Sequence, residues 1–239
     1  MKAYEIRSFS DFCAALLEAG FSMGGGSKDG IFDIVQFSWN DTPPYETPVR
    51  WHTGDAETDP WEWRVRVLTE RSDVAYGKFF FNKSGFITRK WFPYFLAARR
   101  GDATLTEHYL DGHVSQTAKL IYGLIAGSER GALPVEEIKR LGRFTKEDKS
   151  RFDRALTELQ SGLFVTMCGT NRRVNAQGEG YGWNSMMYCT TETFWGAEVF
   201  DEAAKLATSD AISAITTQIL TLNPSAEPKK IAKFINAAK

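Results

Sequence analysis

Thr145-Lys146-Glu147-Asp148-Lys149-Ser150-Arg151-Phe152-Asp153-Arg154-Ala155-Leu156-Thr157-Glu158-Leu159-Gln160-Ser161-Gly162-Leu163-Phe164-Val165-Thr166-Met167-Cys168 holds a helix start, a helix, a stop and a strand in one run. Thr145 with Asp148 three residues on has the composition of a reciprocal N-terminal cap. Phe152, Leu156 and Leu159 recur at helical spacing and define one apolar face. Gly162 supplies the stop, and residues 163–168 read as a strand. Upstream, Ala118, Ile121, Leu124 and Ile125 define a helix ended by Gly127. Pro134 opens a second, with Val135, Ile138 and Leu141 inward, ended by Gly142. Downstream, residues 169–180 are polar and contain glycine, and residues 181–190 read as a returning strand. Three short helices followed by a β-hairpin with a basic tip have the order and lengths of a winged helix-turn-helix.

Basic residues follow the same plan. Lys146, Lys149, Arg151 and Arg154 lie in or just before the third helix, and Arg172 and Arg173 lie at the wing tip. The second helix of a helix-turn-helix enters the major groove, and a wing bearing two Arg suits the minor groove or the phosphate backbone. Double-stranded DNA is therefore the expected partner. Glu147, Asp148, Asp153 and Glu158 dilute the positive field, and a packing or protein-interaction module can use the same fold, so both readings stay open.

A second stretch, residues 49–64, places Trp51, Trp61, Trp63, His52, four carboxylates and two Arg in sixteen positions. Trp is usually buried and carboxylates rarely are without partners. One reading is a cleft walled by Trp51, Trp61 and Trp63, with Asp55, Asp59 and Glu62 pointing inward and His52 accepting or orienting a proton. The other is a loop that caps a helix, with Asp59 as N-cap and Pro60 at the first helical position. His52 and these acids match no defined ligand spacing, so no metal is expected.

The formal net charge of −1 gives no global electrostatic signature, so any nucleic-acid surface must gather its cations locally. No run approaches the 18 apolar residues of a membrane span, and residues 1–5 lack a signal-peptide core. Cys13, Cys168 and Cys189 have no CxxC spacing and read as reduced, buried thiols, which points to a cytoplasmic protein without zinc or disulfides. Neither a cofactor nor a bound nucleotide is expected.

Residues 8–19 predict a helix, capped by Ser8 with Asp11 and stopped by Gly20. Gly24, Gly25, Gly26 and Gly30 read as a flexible linker, or alternatively as an anion cradle without P-loop spacing. Residues 31–39 alternate loosely and suggest a strand. Residues 75–81 and 86–89 predict a hairpin joined through residues 82–85. It is decorated by Lys78, Lys83, Arg89 and Lys90 among Phe79, Phe80, Phe81, Phe86 and Trp91. Such interleaving serves nucleic-acid binding, or a buried hairpin with a solvated rim. Pro93 opens a helix to Arg100, and Thr104 with Glu107 caps another. Residues 191–207, 209–222 and 228 onward predict further helices, the last bearing Lys229, Lys230 and Lys233. The expected organisation is α+β: residues 1–112 as an N-terminal α+β segment, 113–191 as the winged helix-turn-helix, and 192–239 as C-terminal helices on the same body.

Residues 51–55 (Trp-His-Thr-Gly-Asp), 59–64 (Asp-Pro-Trp-Glu-Trp-Arg), 150–156 and Met167-Cys168-Gly169 together resemble bacterial AlkZ-related proteins over nearly the whole chain. The more distant kin of that group are the AlkZ/YcaQ DNA glycosylases of DNA repair. The resemblance implies tandem winged helices around a basic concave surface, and excision of N7-alkylated purines. The hairpin followed by residues 91–94 is similar to their hairpin-then-Tyr-Pro segment. Those enzymes carry a glutamine–apolar–glutamine (or –aspartate) triplet at the catalytic centre. The nearest equivalent here, Gln36-Phe37-Ser38, has Ser in the third place, so no catalytic residue transfers. Either the acids of residues 49–64 replace the triplet, stabilising an oxocarbenium-like sugar and positioning a water, or the chain is a non-enzymatic DNA-binding regulator or scaffold.

Overall fold

A computed structural model describes residues 1–26, 29–172 and 184–236. The described residues form an α+β architecture in which eleven helices surround one six-stranded sheet. Helix α1 (Phe9–Ala19) leads into β1 (Phe21–Met23), and after a long irregular stretch α2 (Pro60–Glu70) leads into the hairpin β2 (Val74–Phe80) and β3 (Lys83–Thr88). Then come α3 (Phe92–Arg99), α4 (Leu105–Leu110), α5 (Gln116–Ala126), β4 (Ala132–Pro134), α6 (Val135–Leu141) and α7 (Lys149–Ser161). Strands β5 (Val165–Asn171) and β6 (Ser185–Thr190) follow, and α8 (Thr191–Trp195), α9 (Ala197–Ala204), α10 (Thr208–Leu222) and α11 (Pro228–Asn236) end the described chain. The strand order is β1-β3-β2-β5-β6-β4, antiparallel throughout.

The middle of this sheet is where the chain's two halves meet. Strand β2 pairs with β5 through Tyr76 and Met167, then shifts register with β3 between Gly77 and Phe80. A strand leaving its ladder strands backbone donors and acceptors, which are costly to bury unpaired. The end of α7 takes them over. Gln160 Oε1 accepts the Lys78 N–H at 3.0 Å, and the Ser161 hydroxyl donates to the Lys78 carbonyl at 3.1 Å. The Thr166 hydroxyl donates to the Tyr76 carbonyl at 3.1 Å. Gln160, Ser161 and Thr166 are therefore buried polar residues with a structural purpose.

Arg99 fastens the same junction. It closes the apolar face of α3, seven residues after Phe92 and four after Phe95, and is half-buried beside these two core rings. Its guanidinium donates to Ile235 O (2.7 Å), Phe79 O (3.0 Å), Ser161 O (2.9 Å) and Phe234 O (2.9 Å). Three of those carbonyls lie in the last turns of α7 and α11, where the helix dipole is negative and favours a cation. Phe234 of α11 stacks on Phe80, centroids 3.9 Å apart, completing the seat.

Five local expectations shift. Residues 31–39 form no strand, although Ile31, Phe32, Ile34, Val35 and Phe37 are buried. Burial of successive residues requires no alternation, and the backbone bonds instead to its neighbours, Met23 N–H to Phe32 O and Gly26 N–H to Val35 O. The hairpin turns at Phe81-Asn82, both left-handed (φ 50° and 59°), so Lys83 and Ser84 belong to β3. The Thr145–Asp148 cap closes a turn before α7, whose first residue is Lys149. Gly196, at φ 74°, splits the expected helix 191–207 into α8 and α9. The glycines at 24–26 are packed rather than loose: a Cβ on Gly25 would meet the Trp51 ring at 2.8 Å.

Arg99→Met should lower stability by at least ~3 kcal/mol, because four buried carbonyls lose donors worth about 1 kcal/mol or more each. Urea denaturation measures it. A midpoint matching the parent's would show that Arg99 does not hold the junction.

Candidate functional site

The stretch 49–64 folds around Asp59, which is fully buried. Asp59 Oδ1 accepts the N–H groups of His52 (3.0 Å) and Trp61 (2.8 Å), and Oδ2 accepts that of Gly54 (2.9 Å). It is thus at once the N-cap of α2 and the clasp that holds His52 in a left-handed conformation (φ 61°). Asp55 Oδ1 accepts the N–H groups of Glu57 (2.7 Å) and Thr58 (3.3 Å), which makes it a turn former. Glu57 pairs with Arg66 at 2.7 Å. Glu62 sits half-buried in the first turn of α2, where the helix dipole favours a carboxylate.

The three Trp have three different fates. Trp63 is in the core, stacked on Phe12 at 5.2 Å. Trp51 is half-buried and donates its indole N–H to Phe37 O at 2.9 Å. Trp61 is exposed, with the Arg64 guanidinium 3.1 Å over its ring and the His52 ring at 4.9 Å on the indole. Gln36 lies at the surface and donates to Lys2 O, while Phe37 is core and Ser38 bonds Asp41.

A cavity of about 620 Å³ lies elsewhere, where β2, α3, α4, α7 and α11 meet. None of residues 49–64 lines it. Its charged lining is Lys78, Arg99, Arg100 and Arg154 against Asp153 and Glu158, with His108, His113, Asn82 and Phe164 completing the walls. Arg100 bonds Glu192 (3.0 Å) and Leu163 O (3.1 Å), with its guanidinium 4.2 Å over the Phe164 ring. Arg99 has only backbone acceptors, and burial pulls its guanidinium down to about 9. Asp153 is held by Lys149 at 2.7 Å, and Glu158 accepts both the N–H and the hydroxyl of Ser115 at 2.7 Å. Lys78 and Arg154 make no ion pair among the described residues.

The sequence-predicted basic residues thus divide. Lys149 pairs with Asp153, Arg151 with Asp148 (2.7 Å), Lys83 with Asp29 (2.9 Å), and Arg89 grips Glu202 through two 2.8 Å bonds. Lys78 and Arg154 come together on the cavity, and Arg172 is exposed. Arg173 lies outside the described residues. The pattern-based reading missed Arg99, Arg100, His108 and His113. Arg99 had a visible signal, since a cation on the apolar face of a short helix must find buried acceptors. The histidines had none, because their neighbours come from other elements.

No helix among the described residues is long and apolar enough to cross a membrane, and no group of three or more His, Cys, Asp or Glu among them could hold a metal ion. The molecule is an α+β protein with a cationic cavity beside its sheet junction. A family model described as AlkZ related matches residues 6–236, so the chain belongs to the AlkZ-related family. No curated protein and no solved structure matches it.

Asp59→Ala should cost about 2 kcal/mol or more, since the cap alone contributes about 1 kcal/mol and two further N–H groups lose their acceptor. Thermal unfolding should show the loss, with Asp55→Ala milder because Asp55 is exposed. Equal melting temperatures for Asp59→Ala and the parent would return Asp59 to the list of free acids.

Proposed function

We propose that the chain is a DNA-binding protein whose residues 113–191 act as a winged helix. The order α5, α6, α7, β5, β6, with the short β4 added to β6, supports this reading, as does membership of a family with DNA-glycosylase kin. The observation that carries it is a group of cations with no ion pair among the described residues: Arg154 on α7, Lys78 on the hairpin, and exposed Arg172 just after β5. Lys149, Arg151, Lys83 and Arg89 would have to trade an internal partner for a phosphate, so they contribute less.

Excision of N7-alkylated purines is the second reading, favoured by the family. Its carboxylate would be Glu62 or Asp55, because Asp59 has three N–H groups on it. His52 at the surface and the exposed Trp61 would flank it. The buried cap at Asp59 and the surface position of Gln36 favour binding without chemistry.

Duplex affinity should fall with salt, and replacing both Arg172 and Arg173 by Ala should lower the log–log slope by roughly two units, about one per phosphate contact. Fluorescence anisotropy at several salt concentrations reads this, and an absence of duplex binding at low salt sinks the DNA reading. Separately, duplex carrying N7-methylguanine is assayed for free base. Release by the parent that disappears in Glu62→Gln supports catalysis from this stretch, and no release above background excludes glycosylase activity on this lesion and puts the DNA-binding regulator reading ahead.

A further inference from the structure

We propose that the cavity between β2, α4 and α7 is a phosphate-binding pocket, with Lys78 and Arg154 as its charge partners. Its four lining cations outnumber its two carboxylates, and the surplus is not spread evenly. Arg100 is matched by Glu192, and both lining carboxylates are committed, Asp153 to Lys149 and Glu158 to the start of α5. Lys78, half-buried, and Arg154 face the same space with no acid of their own. Beside them lies the Arg99 guanidinium, half-buried and, among the described residues, satisfied only by carbonyl dipoles, so its charge adds to the field of the cavity. A half-buried cation such as Lys78 without a counter-ion is unfavourable, and an entering anion relieves that cost, while the exposed Arg154 at the rim adds a second donor.

The donors select the kind of anion. Arg154 offers a planar fork, Lys78 a mobile ammonium, and Asn82 a side-chain amide with no hydrogen bond to another described residue. A carboxylate brings two oxygens and one charge. A phosphate monoester brings three acceptor oxygens and close to two charges near neutral pH, which matches two unpaired cations and a neutral donor. The volume of about 620 Å³ leaves room for an organic group attached to the phosphate. A free monoester matches all three donors and needs no DNA. A phosphodiester of bound DNA, with two non-bridging oxygens and one charge, would engage the same phosphate-binding donors less completely, and in that form the inference rests on the DNA reading.

The test titrates the full-length protein at low salt with inorganic phosphate, adenosine 5′-monophosphate and a short DNA duplex, by calorimetry. The parent is compared with Arg154→Gln, Lys78→Gln and Lys205→Gln. Arg154 is exposed, so its variant should fold normally, and Lys205→Gln removes an equal charge at the exposed end of α9, outside the cavity lining. Affinity for at least one probe should drop roughly tenfold in each cavity variant, the loss of one charge-assisted hydrogen bond, and change little in Lys205→Gln. Binding of adenosine monophosphate without duplex binding would uphold the pocket and remove the DNA reading. Duplex binding alone, weakened by the cavity variants, would uphold the pocket with phosphodiester as its source. If no probe binds, or if every probe binds all four proteins alike, the pocket assignment is wrong.

Discussion

A single positive charge, the half-buried Arg99 guanidinium, pairs with no carboxylate among the described residues, and much of the structure is arranged to tolerate it. Four carbonyls do so, and they come from β2, from the end of α7 and from the end of α11. Each is a group that helix or strand geometry leaves over: the last C=O groups of a helix have no intrahelical donor, and β2 breaks its ladder register between Gly77 and Phe80. Orphan acceptors and a half-buried donor fork thus solve each other's problem. Lys could not replace Arg here, since three donors on one nitrogen do not match four acceptors spread around a plane.

The consequence is that α11 cannot be treated as a tail. Its Phe234 stacks on Phe80 and approaches Phe21 and Phe95 at 5.6 and 6.0 Å, so one ring is shared among β1, β2, α3 and α11. Such aromatic clusters add to the area they bury and fix relative orientation. The basic character of α11 is correspondingly outward: Lys229 and Lys233 are exposed, and Lys230 meets Glu227. The cavity inherits its shape from this seat, with Arg99 and Asn236 on one side and the α7 side chains on the other.

Helix ends were the most legible part of the sequence. Ser8, Asp59 and Thr104 each accept the backbone N–H that their position predicts, and Gly20 ends α1 at φ 91°. Capping needs only neighbours three residues away, so composition suffices. The segment 31–39 was not legible, because its partners are the turn at 24–26 and β1, and nothing in its own apolar run distinguishes an irregular buried segment from a strand. The Trp- and acid-rich stretch was legible as a hub of the fold. Its carboxylates were ambiguous because a buried acid in a cap and a buried acid in a cleft have the same flanking residues. Asp59 is distinguished only by which N–H groups converge on it, one of them seven residues upstream at His52.

The cavity shows why charge patterning read along a helix is incomplete. On α7 the local rule gives Lys149 to Asp153 at i,i+4 and Arg151 to Asp148 at i,i+3, and both pairs form. The same rule would give Arg154 to Glu158. That pair does not form, because Glu158 turns to the first turn of α5 and takes the Ser115 N–H and hydroxyl. Ser115 in turn accepts the Ala118 N–H, so Glu158 completes the cap of a helix 43 residues upstream. An exposed ion pair contributes about 0–1 kcal/mol, whereas hydrogen bonds to a charged group contribute about 1.5–3 kcal/mol each, so the carboxylate goes to the cap. Arg154 is left with its charge facing the cavity. The cationic character of the site is thus a by-product of how α5 is started, a relation between two helices that neither helix displays in its own sequence.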